Sequence, residues 1–456
     1  MSPNRKKYRK TYAGSISRRD FSKSLVASAF AFNFFPKSTF GANSRLQVAS
    51  IGIGGKGFSD VRGIAGAGGH IVALCDVHDK RRVKKGNKDH TLNFPKAKFF
   101  RDFRKMLESM DSEIDAVSIS TPDHTHFHPA RMAIMMGKHV YCQKPLTHSI
   151  WEARELRLLA RKHKVRTQMG NQAHAGEPIR RAVEYIRSGL LGRVKEVHCW
   201  TNRPIWAQGM KSRPAGQKIE KGLDWDLWLG PAPETPYSSK YLPFSWRGWW
   251  DYGTGALGDM GCHIMDMPYW ALDLGDPISV SASSRGNSEY AGPNASVVTY
   301  KFPRGPYSDA LKFHWYDGDD RPDKSVYQES GLTQQQLSKQ FESIIVGDRG
   351  KLYFQRGGMN WKTTPSDLLK DWKKPIKSIP RVKNEDQEWV DACLGKSGEA
   401  LSRFEYSGRL TETVLLGNLA IRLNKKVDWN GRNLSSTNSP GAASLIKRAY
   451  RKGWEV

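Results

Sequence analysis

A glycine-rich turn near residue 52 constrains the fold of this chain more than any other feature of its sequence. An apolar run, 46–53, leads into Gly-Ile-Gly-Gly-Lys-Gly at 52–57, and a segment that can form a helix follows at 58–67. A strand, a Gly-x-Gly-x-x-Gly turn and a helix in this order are typical of the first unit of a doubly wound sheet. The glycines allow a tight turn and a close approach of the backbone to a pyrophosphate at the helix N-terminus.

The next predicted strand, 70–75, supports a dinucleotide site because it ends in an acidic residue. Asp76 lies 19 residues beyond Gly57. A carboxylate at this position accepts hydrogen bonds from both adenosine ribose hydroxyls, and its charge would repel a 2′-phosphate. The sequence therefore predicts NAD as the cofactor. The neighbouring cations Lys80, Arg81 and Arg82 leave NADP as an alternative.

The hydrophobic pattern divides the chain after the turn into two regions. Apolar runs of strand length at 114–120, 139–142 and 165–169 alternate with helical segments at 129–136 and 150–163. This alternation predicts a parallel, doubly wound sheet in an α/β fold, a Rossmann domain over 43–168. Beyond it, the sequence predicts a C-terminal α/β domain over 169–456 with an open, mainly antiparallel sheet. Its predicted strands are 194–201, 278–282, 296–302, 310–315, 342–346 and 351–354, and its predicted helices are 179–188, 386–394 and 410–423.

Two stretches of the second region lack a regular pattern. The segment from 202 to about 252 is rich in Trp and Pro and is predicted to be irregular. Residues 317–337, rich in Asp, Gln and Ser, are predicted to form a surface loop.

The first 42 residues have the pattern of an export signal. Ser-Arg-Arg-Asp-Phe-Ser-Lys at 17–23 follows a basic segment and precedes a short apolar core at 24–35. That core is shorter than the roughly 18 apolar residues of a membrane-spanning helix. We interpret residues 1–42 as a twin-arginine signal peptide cleaved near 41–44, and we expect a periplasmic or secreted protein without membrane attachment after removal of the signal.

Charge and cysteine content exclude some classes of protein. The formal net charge is +27 at pH 7, but the basic residues are scattered and no nucleic-acid-binding motif accompanies them, so we expect no nucleic-acid partner. The five cysteines are far apart and form no Cys-x-x-Cys pair, which argues against structural zinc.

Three further segments place polar residues in a distinctive order. Residues 120–126 read Ser-Thr-Pro-Asp-His-Thr-His, residues 137–146 read Gly-Lys-His-Val-Tyr-Cys-Gln-Lys-Pro-Leu, and residues 258–266 read Gly-Asp-Met-Gly-Cys-His-Ile-Met-Asp. In this order and at these separations they resemble the motifs of the glucose–fructose oxidoreductase, inositol dehydrogenase and MocA (Gfo/Idh/MocA) family. The resemblance extends over nearly all of the chain after the signal, including 410–418.

The resemblance implies roles for particular residues. Lys144 matches the lysine of the family's Glu-Lys-Pro motif, and Asp259 and His263 match its Asp-x-x-x-His pair; these three are the predicted catalytic residues. One departure is plain, because Gln143 stands where the family usually has Glu. The turn and the motifs together predict a cofactor site formed by Gly52, Gly54, Lys56, Gly57, Asp76, Thr121, Pro122, His126, Gln143, Lys144 and Asn171.

The chemistry of alcohol oxidation accounts for these residue types independently. The hydroxyl proton must be removed while hydride leaves, and histidine titrates near neutrality, so His263 is a suitable base. Asp259, four residues earlier, could orient the His263 ring or hold another substrate hydroxyl. Lys144 could stabilise the developing alkoxide charge.

Two other groups of residues invite alternative interpretations. His124, His126 and His128 alternate, but no carboxylate or cysteine cluster completes a metal site, and we expect no metal there. Seven tryptophans fall between Trp200 and Trp250. Most should pack loops, while Trp206 together with Arg203 is predicted to face a sugar-like substrate.

These features predict an exported NAD(P)-dependent oxidoreductase. Its substrate would be the secondary hydroxyl of a sugar or related polyol, and we expect it to be a homo-oligomer. Two alternatives are compatible with the same residues. One is a redox-neutral glycosidase that acts on glycosides with NAD through a transient keto-sugar. The other is a non-catalytic sugar-binding homologue that retains the fold.

Overall fold

Six parallel strands form the sheet of the N-terminal region. In this computed structural model the backbone is described for residues 45–84, 88–89 and 93–456, and the side chains for the same residues except 82–84, 88 and 89. The predicted signal, 1–42, lies outside these residues. The strands are β1 (Gln47–Ile51), β2 (His70–Cys75), β3 (Lys98–Phe100), β4 (Ala116–Ile119), β5 (His139–Gln143) and β6 (Thr167–Gly170).

The strand order of this sheet is β3-β2-β1-β4-β5-β6, with every neighbouring pair parallel. The order reverses direction between β1 and β4, so the carboxyl ends of these two strands open a crevice where ligands bind in doubly wound folds. Connecting helices cover the sheet, since parallel strands need crossover connections. They are α1 (Lys56–Gly66), α2 (Phe103–Ser109), α3 (Phe127–Met135) and α4 (Ile150–His163).

A nine-stranded sheet forms the C-terminal region. Its strands are β7 (Val194–Trp200), β8 (Ser279–Arg285), β9 (Ala295–Phe302), β10 (Ser308–Tyr316), β11 (Ser343–Gly347), β12 (Lys351–Phe354), β13 (Lys362–Thr364), β14 (Val427–Asn430) and β15 (Ser435–Ser436). Their order is β13-β12-β11-β7-β10-β9-β8-β14-β15, and among these strands only β7 and β10 pair in parallel.

Helices of the C-terminal region lie on both faces of this sheet and against the first region. They are α5 (Glu177–Arg187), α6 (Trp225–Leu229), α7 (Gly255–Ile264), α8 (Asp266–Ala271), α9 (Gln334–Gln340), α10 (Leu368–Asp371), α11 (Glu385–Cys393), α12 (Phe404–Leu423) and α13 (Ala443–Ile446).

The long helix α12 joins the two sheets into one core, because it packs against α4, α7 and the strands β8 and β9. Gly417 permits the close approach to β9, since a Cβ there would lie 2.1 Å from Tyr300 Oη.

The predicted α/β class and both sheet types are confirmed, with shifts of a few residues at most element ends. Helix α12 begins six residues earlier than predicted, at Phe404. The short strands β3, β13, β14 and β15 were not predicted, because two to four residues carry too little pattern.

Residues 317–337 are largely irregular and solvent-exposed, as predicted, but the segment also contributes to the core. Tyr327 and Leu337 are buried against Trp200, Tyr316 and Ile344, and α9 begins within the segment. The apolar residues were too few to show a period, yet they suffice to cover part of the sheet.

The Trp-rich segment is irregular as predicted, apart from α6 and a short 3-10 turn at Ser245–Gly248. Its rings form a separate aromatic core that includes Trp225, Trp228, Tyr241 and Trp249. Within the described residues we find no helix that combines the length and the apolar character needed to cross a bilayer.

Candidate active site

The glycine turn lies at the crevice between β1 and β4, where its geometry requires glycine at two positions. Gly52 has a φ of +76°, and a Cβ on it would lie 2.8 Å from the carbonyl of Ser120. A Cβ on Gly57 would lie 1.8 Å from the Gly52 carbonyl oxygen. The first turn of α1 is therefore pressed against the end of β1, as a pyrophosphate-binding turn requires.

Asp76 ends β2 beside this turn. Its two carboxylate oxygens accept hydrogen bonds from the backbone N–H groups of Ile53 and His78, both at 3.0 Å. Burial raises the pKa of Asp76 to about 6, against the opposing effect of these hydrogen bonds and of Arg81. The Arg81 side chain lies over Gly54, 2.7 Å from where a Cβ would be. A cation therefore stands next to the predicted ribose ligand.

Asp60, which the sequence analysis did not single out, connects α1 to the ends of β4 and β5. It is 2 % exposed and forms an ion pair with Lys56 one helical turn earlier. Its Oδ2 accepts hydrogen bonds from Ser120 Oγ at 2.7 Å and from Gln143 Nε2 at 3.0 Å. Lys56 is thus held at the start of α1, with its side chain 42 % exposed.

This contact gives a physical reason for the glutamine at position 143. A glutamate there would place a second carboxylate beside the buried Asp60, whereas the glutamine amide donates a hydrogen bond to it. The negative charge missing from position 143 is present in this chain on the neighbouring helix. The Gln143 side chain also packs on Gly170, at the end of β6.

Lys144 and Asp259, 115 residues apart in sequence, meet between the two regions of the fold. Lys144 Nζ lies 2.8 Å from Asp259 Oδ1 and donates a second hydrogen bond to the Asp259 carbonyl at 2.7 Å. Arg247 Nε lies 3.1 Å from the same carboxylate oxygen. Both Lys144 and Asp259 have side chains that are 13 % exposed, so the pair remains accessible at one side.

The charge state of Asp259 follows from these two cations. Burial by itself would raise its pKa, but Lys144 and Arg247 outweigh that effect and lower the pKa to about 2. Asp259 is therefore ionised at neutral pH and holds Lys144 in place as a paired ammonium group.

His263 lies one turn after Asp259 on α7. Its Nδ1 is 2.9 Å from Asn171 Oδ1, so Asn171, and not Asp259, orients the ring. The expectation that Asp259 could orient it is therefore wrong, because Asp259 is directed to Lys144 and Arg247. Burial, reinforced by the charge of Lys144, holds the pKa of His263 well below its ordinary value. With Nδ1 donating to Asn171, the neutral ring carries its lone pair on Nε2.

Residues 120–126, at the end of β4, form hydrogen bonds to the segments that carry Lys144 and α7. His126 is 1 % exposed, and its two ring nitrogens lie 2.9 Å from the carbonyl oxygens of Thr121 and Pro145. It therefore ties the Thr121–Pro122 turn to the loop that carries Lys144. Asp123 accepts a hydrogen bond of 2.6 Å from Thr254, immediately before α7.

His124 and His128 are also held by carbonyl groups. The two ring nitrogens of His124 face the carbonyls of Tyr252 and Trp228, and His128 Nε2 faces that of Trp454. The bonded ring nitrogens of His124, His126 and His128 are thus all directed at main-chain carbonyls.

The predicted substrate residues are placed differently from one another. Trp206 is 7 % exposed and lies beside Arg247, whose guanidinium carbon is 6.0 Å from the Trp206 ring centroid. It therefore borders the site through Arg247. Arg203 instead bonds the side chain of Asn202 at 3.0 Å, and the structure does not bring it to Lys144, Asp259 or His263.

Sequence reasoning missed Asp60, Arg247 and Thr254 as members of the site. Arg247 lies in the Trp-rich segment. Its signal is weak because the segment is irregular and has no periodicity that would show the direction of a side chain.

Comparison with known proteins places this geometry in a family. Residues 46–171 match the model of the NAD-binding Rossmann fold of an oxidoreductase family, GFO_IDH_MocA, and residues 176–456 match the model of its C-terminal alpha/beta domain. Together these matches cover most of the chain. The protein belongs to the Gfo/Idh/MocA oxidoreductase family and has an NAD-binding Rossmann domain.

Sequence similarity to individual relatives extends over a smaller part of this chain. The rhizopine catabolism protein MocA of Rhizobium meliloti is 28 % identical over 191 residues, which cover 41 % of this chain and 57 % of that protein. The chain thus spans little more than half the length of this curated relative.

Two solved structures share the fold over most of the chain. The WlbA dehydrogenase of Bordetella pertussis, in complex with NADH and UDP-GlcNAcA, has a TM-score of 0.58 and 16 % identity, over 85 % of this chain and 99 % of that one. An inositol dehydrogenase homolog of Azotobacter vinelandii, in complex with NADH and myo-inositol, has a TM-score of 0.53 and 17 % identity, over 85 % of this chain and 98 % of that one.

Proposed function

We propose that this protein is an NAD-dependent oxidoreductase that transfers hydride between the nicotinamide and a secondary hydroxyl of a sugar or related polyol. The observation that carries the proposal is the ion pair between Lys144 and Asp259, next to the crevice of an NAD-binding fold. Asp259 and His263 are one turn apart on α7. A neutral imidazole can accept the hydroxyl proton, and a positioned cation can stabilise the charge that develops on the oxygen while hydride passes to the nicotinamide.

The cofactor residues fit a dinucleotide. Gly52 and Gly57 let the N-terminus of α1 lie against the end of β1, and a pyrophosphate would bind at that helix N-terminus. Asp76 stands where the adenosine ribose would bind, and its carboxylate can accept hydrogen bonds from ribose hydroxyls. When bound, the nicotinamide would supply the hydride acceptor. Arg81 beside Asp76 keeps NADP as the second candidate cofactor.

The protein residues would handle the proton and the charge. His263 Nε2 takes the hydroxyl proton, since its ring is neutral and Asn171 fixes Nδ1 as the donor. Lys144 Nζ donates a hydrogen bond to the same oxygen and stabilises the charge that develops on it. Asp259 anchors Lys144, and Arg247 keeps Asp259 ionised.

The substrate class rests on the surroundings of Arg247. Its guanidinium carbon lies 4.3 Å from the ring centroid of Trp246 and 4.5 Å from that of Phe244. Aromatic faces beside a multiple hydrogen-bond donor suit a ring compound that carries several hydroxyl groups. Solved relatives bound to UDP-GlcNAcA and to myo-inositol support the same class.

Replacement of Lys144 and of His263 tests this function. Lys144→Ala and His263→Ala should each reduce turnover by at least ~10², because a positioned acid–base group contributes that much, while NAD still binds. A panel of sugars, polyols and glycosides is screened for NADH formation and for aglycone release, and NAD binding is measured by calorimetry. Lys98→Ala, on the surface away from the site, is the control and should keep full activity.

The outcomes separate the alternatives. NADH formation that both variants lose supports the oxidoreductase. Aglycone release without net NADH would instead identify the redox-neutral glycosidase. Sugar binding without either reaction would identify a non-catalytic homologue, and full activity in both variants would refute the site.

We also propose that the protein is exported through the twin-arginine pathway and forms a homo-oligomer. The support for export is the sequence at 17–35. The support for an oligomer is the broad second sheet, where the face that bears Ser281, Thr299 and Lys312 stays open to solvent beyond the part covered by α9. Light scattering of the purified protein would test the oligomeric state; a monomer mass would contradict it.

A further inference from the structure

A cluster of two histidines and one glutamate lies on the second sheet, outside the site described above. Glu196 and His198 are on β7, and His314 is on the parallel neighbour β10, directly paired with His198 in register. Side chains alternate between the faces of a strand, so Glu196 and His198 share one face, and His314 joins them there. The opposite face of β7 carries Cys199, whose Sγ contacts the carbonyl of Ile264 at the end of α7. The sheet therefore separates this cluster from the helix that carries His263.

We propose that Glu196, His198 and His314 bind one Zn²⁺ ion. Potential ligand atoms of the three residues all lie within 4.8 Å of one another. His314 Nε2 is 2.9 Å from Glu196 Oε1, and His198 Nε2 is 3.7 Å from Glu196 Oε2. Ligand atoms about 2.0–2.2 Å from a tetrahedral zinc lie somewhat more than 3 Å apart, so small side-chain movements suffice to enclose the ion.

The outer nitrogens of both rings are already held as in zinc sites. His198 Nδ1 lies 3.0 Å from Tyr316 Oη, and His314 Nδ1 lies 3.0 Å from Thr299 Oγ1. A histidine that ligates a metal generally donates its other ring N–H to a neighbouring oxygen, which fixes the tautomer and aims the free nitrogen at the ion. Both Nε2 atoms point toward Glu196.

A hydrogen bond between Glu196 and His314, without a metal ion, would leave the Nε2 atom of His198 without a partner among the described residues. It satisfies His314, but His198 is 2 % exposed, and its Nε2 has no hydrogen-bond partner within the described part of the chain. A buried ring nitrogen without a partner costs free energy. A metal ion bound to Nε2 removes that cost.

The donor set favours zinc over hard cations. Two imidazoles and one carboxylate suit Zn²⁺ among the available divalent metals, whereas Mg²⁺ and Ca²⁺ prefer oxygen ligands. Glu196 is 37 % exposed, so a water molecule can complete the coordination from the solvent side. The positive charge of Lys351 acts on His198. It is offset by an ion pair in which Lys351 Nζ lies 3.1 Å from Glu329 Oε2.

The ion would join β7 to β10, the parallel pair of an otherwise antiparallel sheet. Parallel pairing is slightly less stable per residue than antiparallel pairing, and a zinc ion shared by the two strands would reinforce it. The site therefore adds stability to the second sheet and stands apart from the proposed hydride transfer.

Direct metal binding tests the proposal. The purified protein, freed of any affinity tag and treated with EDTA, is titrated with ZnCl₂ by calorimetry and analysed for metal by mass spectrometry. We expect one zinc per chain with a Kd below about 1 µM and a higher melting temperature with zinc than without it. Glu196→Gln and His314→Gln should each weaken binding at least about tenfold and remove the thermal shift.

Two controls make the result decisive. Glu399→Gln and His163→Gln change the same residue types at other positions and should bind zinc like the unmodified protein. Circular dichroism checks that each variant is folded. We expect the Glu196 and His314 variants to fold, because both side chains are partly exposed. Absence of stoichiometric zinc binding, or equal binding by Glu196→Gln and His314→Gln, would overturn the proposal.

Discussion

Gln143 shows how the residue at one position depends on a partner far away in sequence. Its amide donates to Asp60, 83 residues earlier, and Asp60 in turn pairs with Lys56. In this chain the amide is on β5 and the carboxylate that it contacts is on α1. Lys144 retains its own carboxylate partner in Asp259, so the substitution leaves the proposed reaction centre intact.

Gln143→Glu should destabilise the protein. It places two carboxylates in contact where both are nearly buried, and we expect a loss of ~1–3 kcal/mol in the free energy of unfolding, measured with urea. The folded-state pKa of the pair would be raised, so the loss should grow as pH rises from 5 to 8.

The exchanged variant Asp60→Asn/Gln143→Glu is the matched control for this prediction. It restores one amide and one carboxylate, and most of the lost stability should return. A double variant no more stable than Gln143→Glu would show that like-charge contact is not the cause.

Asp76 should make NAD binding dependent on pH. Only its ionised form accepts hydrogen bonds from both ribose hydroxyls, and its pKa in the folded protein is about 6. The ionised fraction therefore rises about tenfold between pH 5 and pH 7, and NAD affinity, measured by calorimetry, should rise with it.

Two variants check this assignment. Asp76→Asn should bind NAD more weakly, lose the pH dependence and narrow the preference for NAD over NADP. Asp79→Asn removes an exposed carboxylate paired with Arg101. This variant should keep the NAD affinity, the pH dependence and the preference for NAD of the unmodified protein. An unchanged pH profile in Asp76→Asn would exclude Asp76 as the ribose ligand.

Helix α1 can pack against the end of β1 because one of its residues, Gly57, has no Cβ. Gly57, in its first turn, touches the Gly52 carbonyl, and Gly66, its last residue, has open space around its Cα. The same helix therefore contains a glycine that the packing requires and one that it does not.

Gly57→Ala should displace α1 from β1 and weaken NAD binding by at least about tenfold, together with a lower melting temperature. Gly66→Ala should be neutral or stabilise by up to ~1 kcal/mol, because alanine has the higher helix propensity and meets no neighbour. Thermal melts and calorimetry with NAD measure both effects. If Gly57→Ala binds NAD normally, close packing at this turn is not essential.

For the whole molecule, the proposed export rests on the sequence of residues 17–35, which lie outside the described residues. If the twin-arginine assignment is correct, replacing Arg18 and Arg19 with lysine should leave the precursor in the cytosol, while the folded protein remains active there. Cell fractionation with immunoblotting measures this. A Lys6→Arg/Lys7→Arg variant keeps the charge and should be exported normally. Export of the Arg18→Lys/Arg19→Lys protein would contradict the assignment.

Short-range patterns in the sequence were sufficient for the class of fold. Alternating apolar runs and helical segments predicted the parallel sheet, and the spacing of Gly52, Gly57 and Asp76 predicted the NAD-binding turn. These signals are readable because strand and helix periods, and the geometry of one turn, depend on residues within about twenty positions of one another.

Only the tertiary structure decided which distant side chains meet. Asp60 and Gln143 are separated by 83 residues, and Glu196 and His314 by 118; Arg247 is only 12 residues from Asp259 but reaches it from an irregular segment. Each contact depends on how strands pair and how an irregular segment or helix packs against a sheet, which local patterns do not encode. Motif resemblance indicated Lys144, Asp259 and His263 together, but the partner of each, including Asn171 for His263, follows from packing across the two regions of the fold.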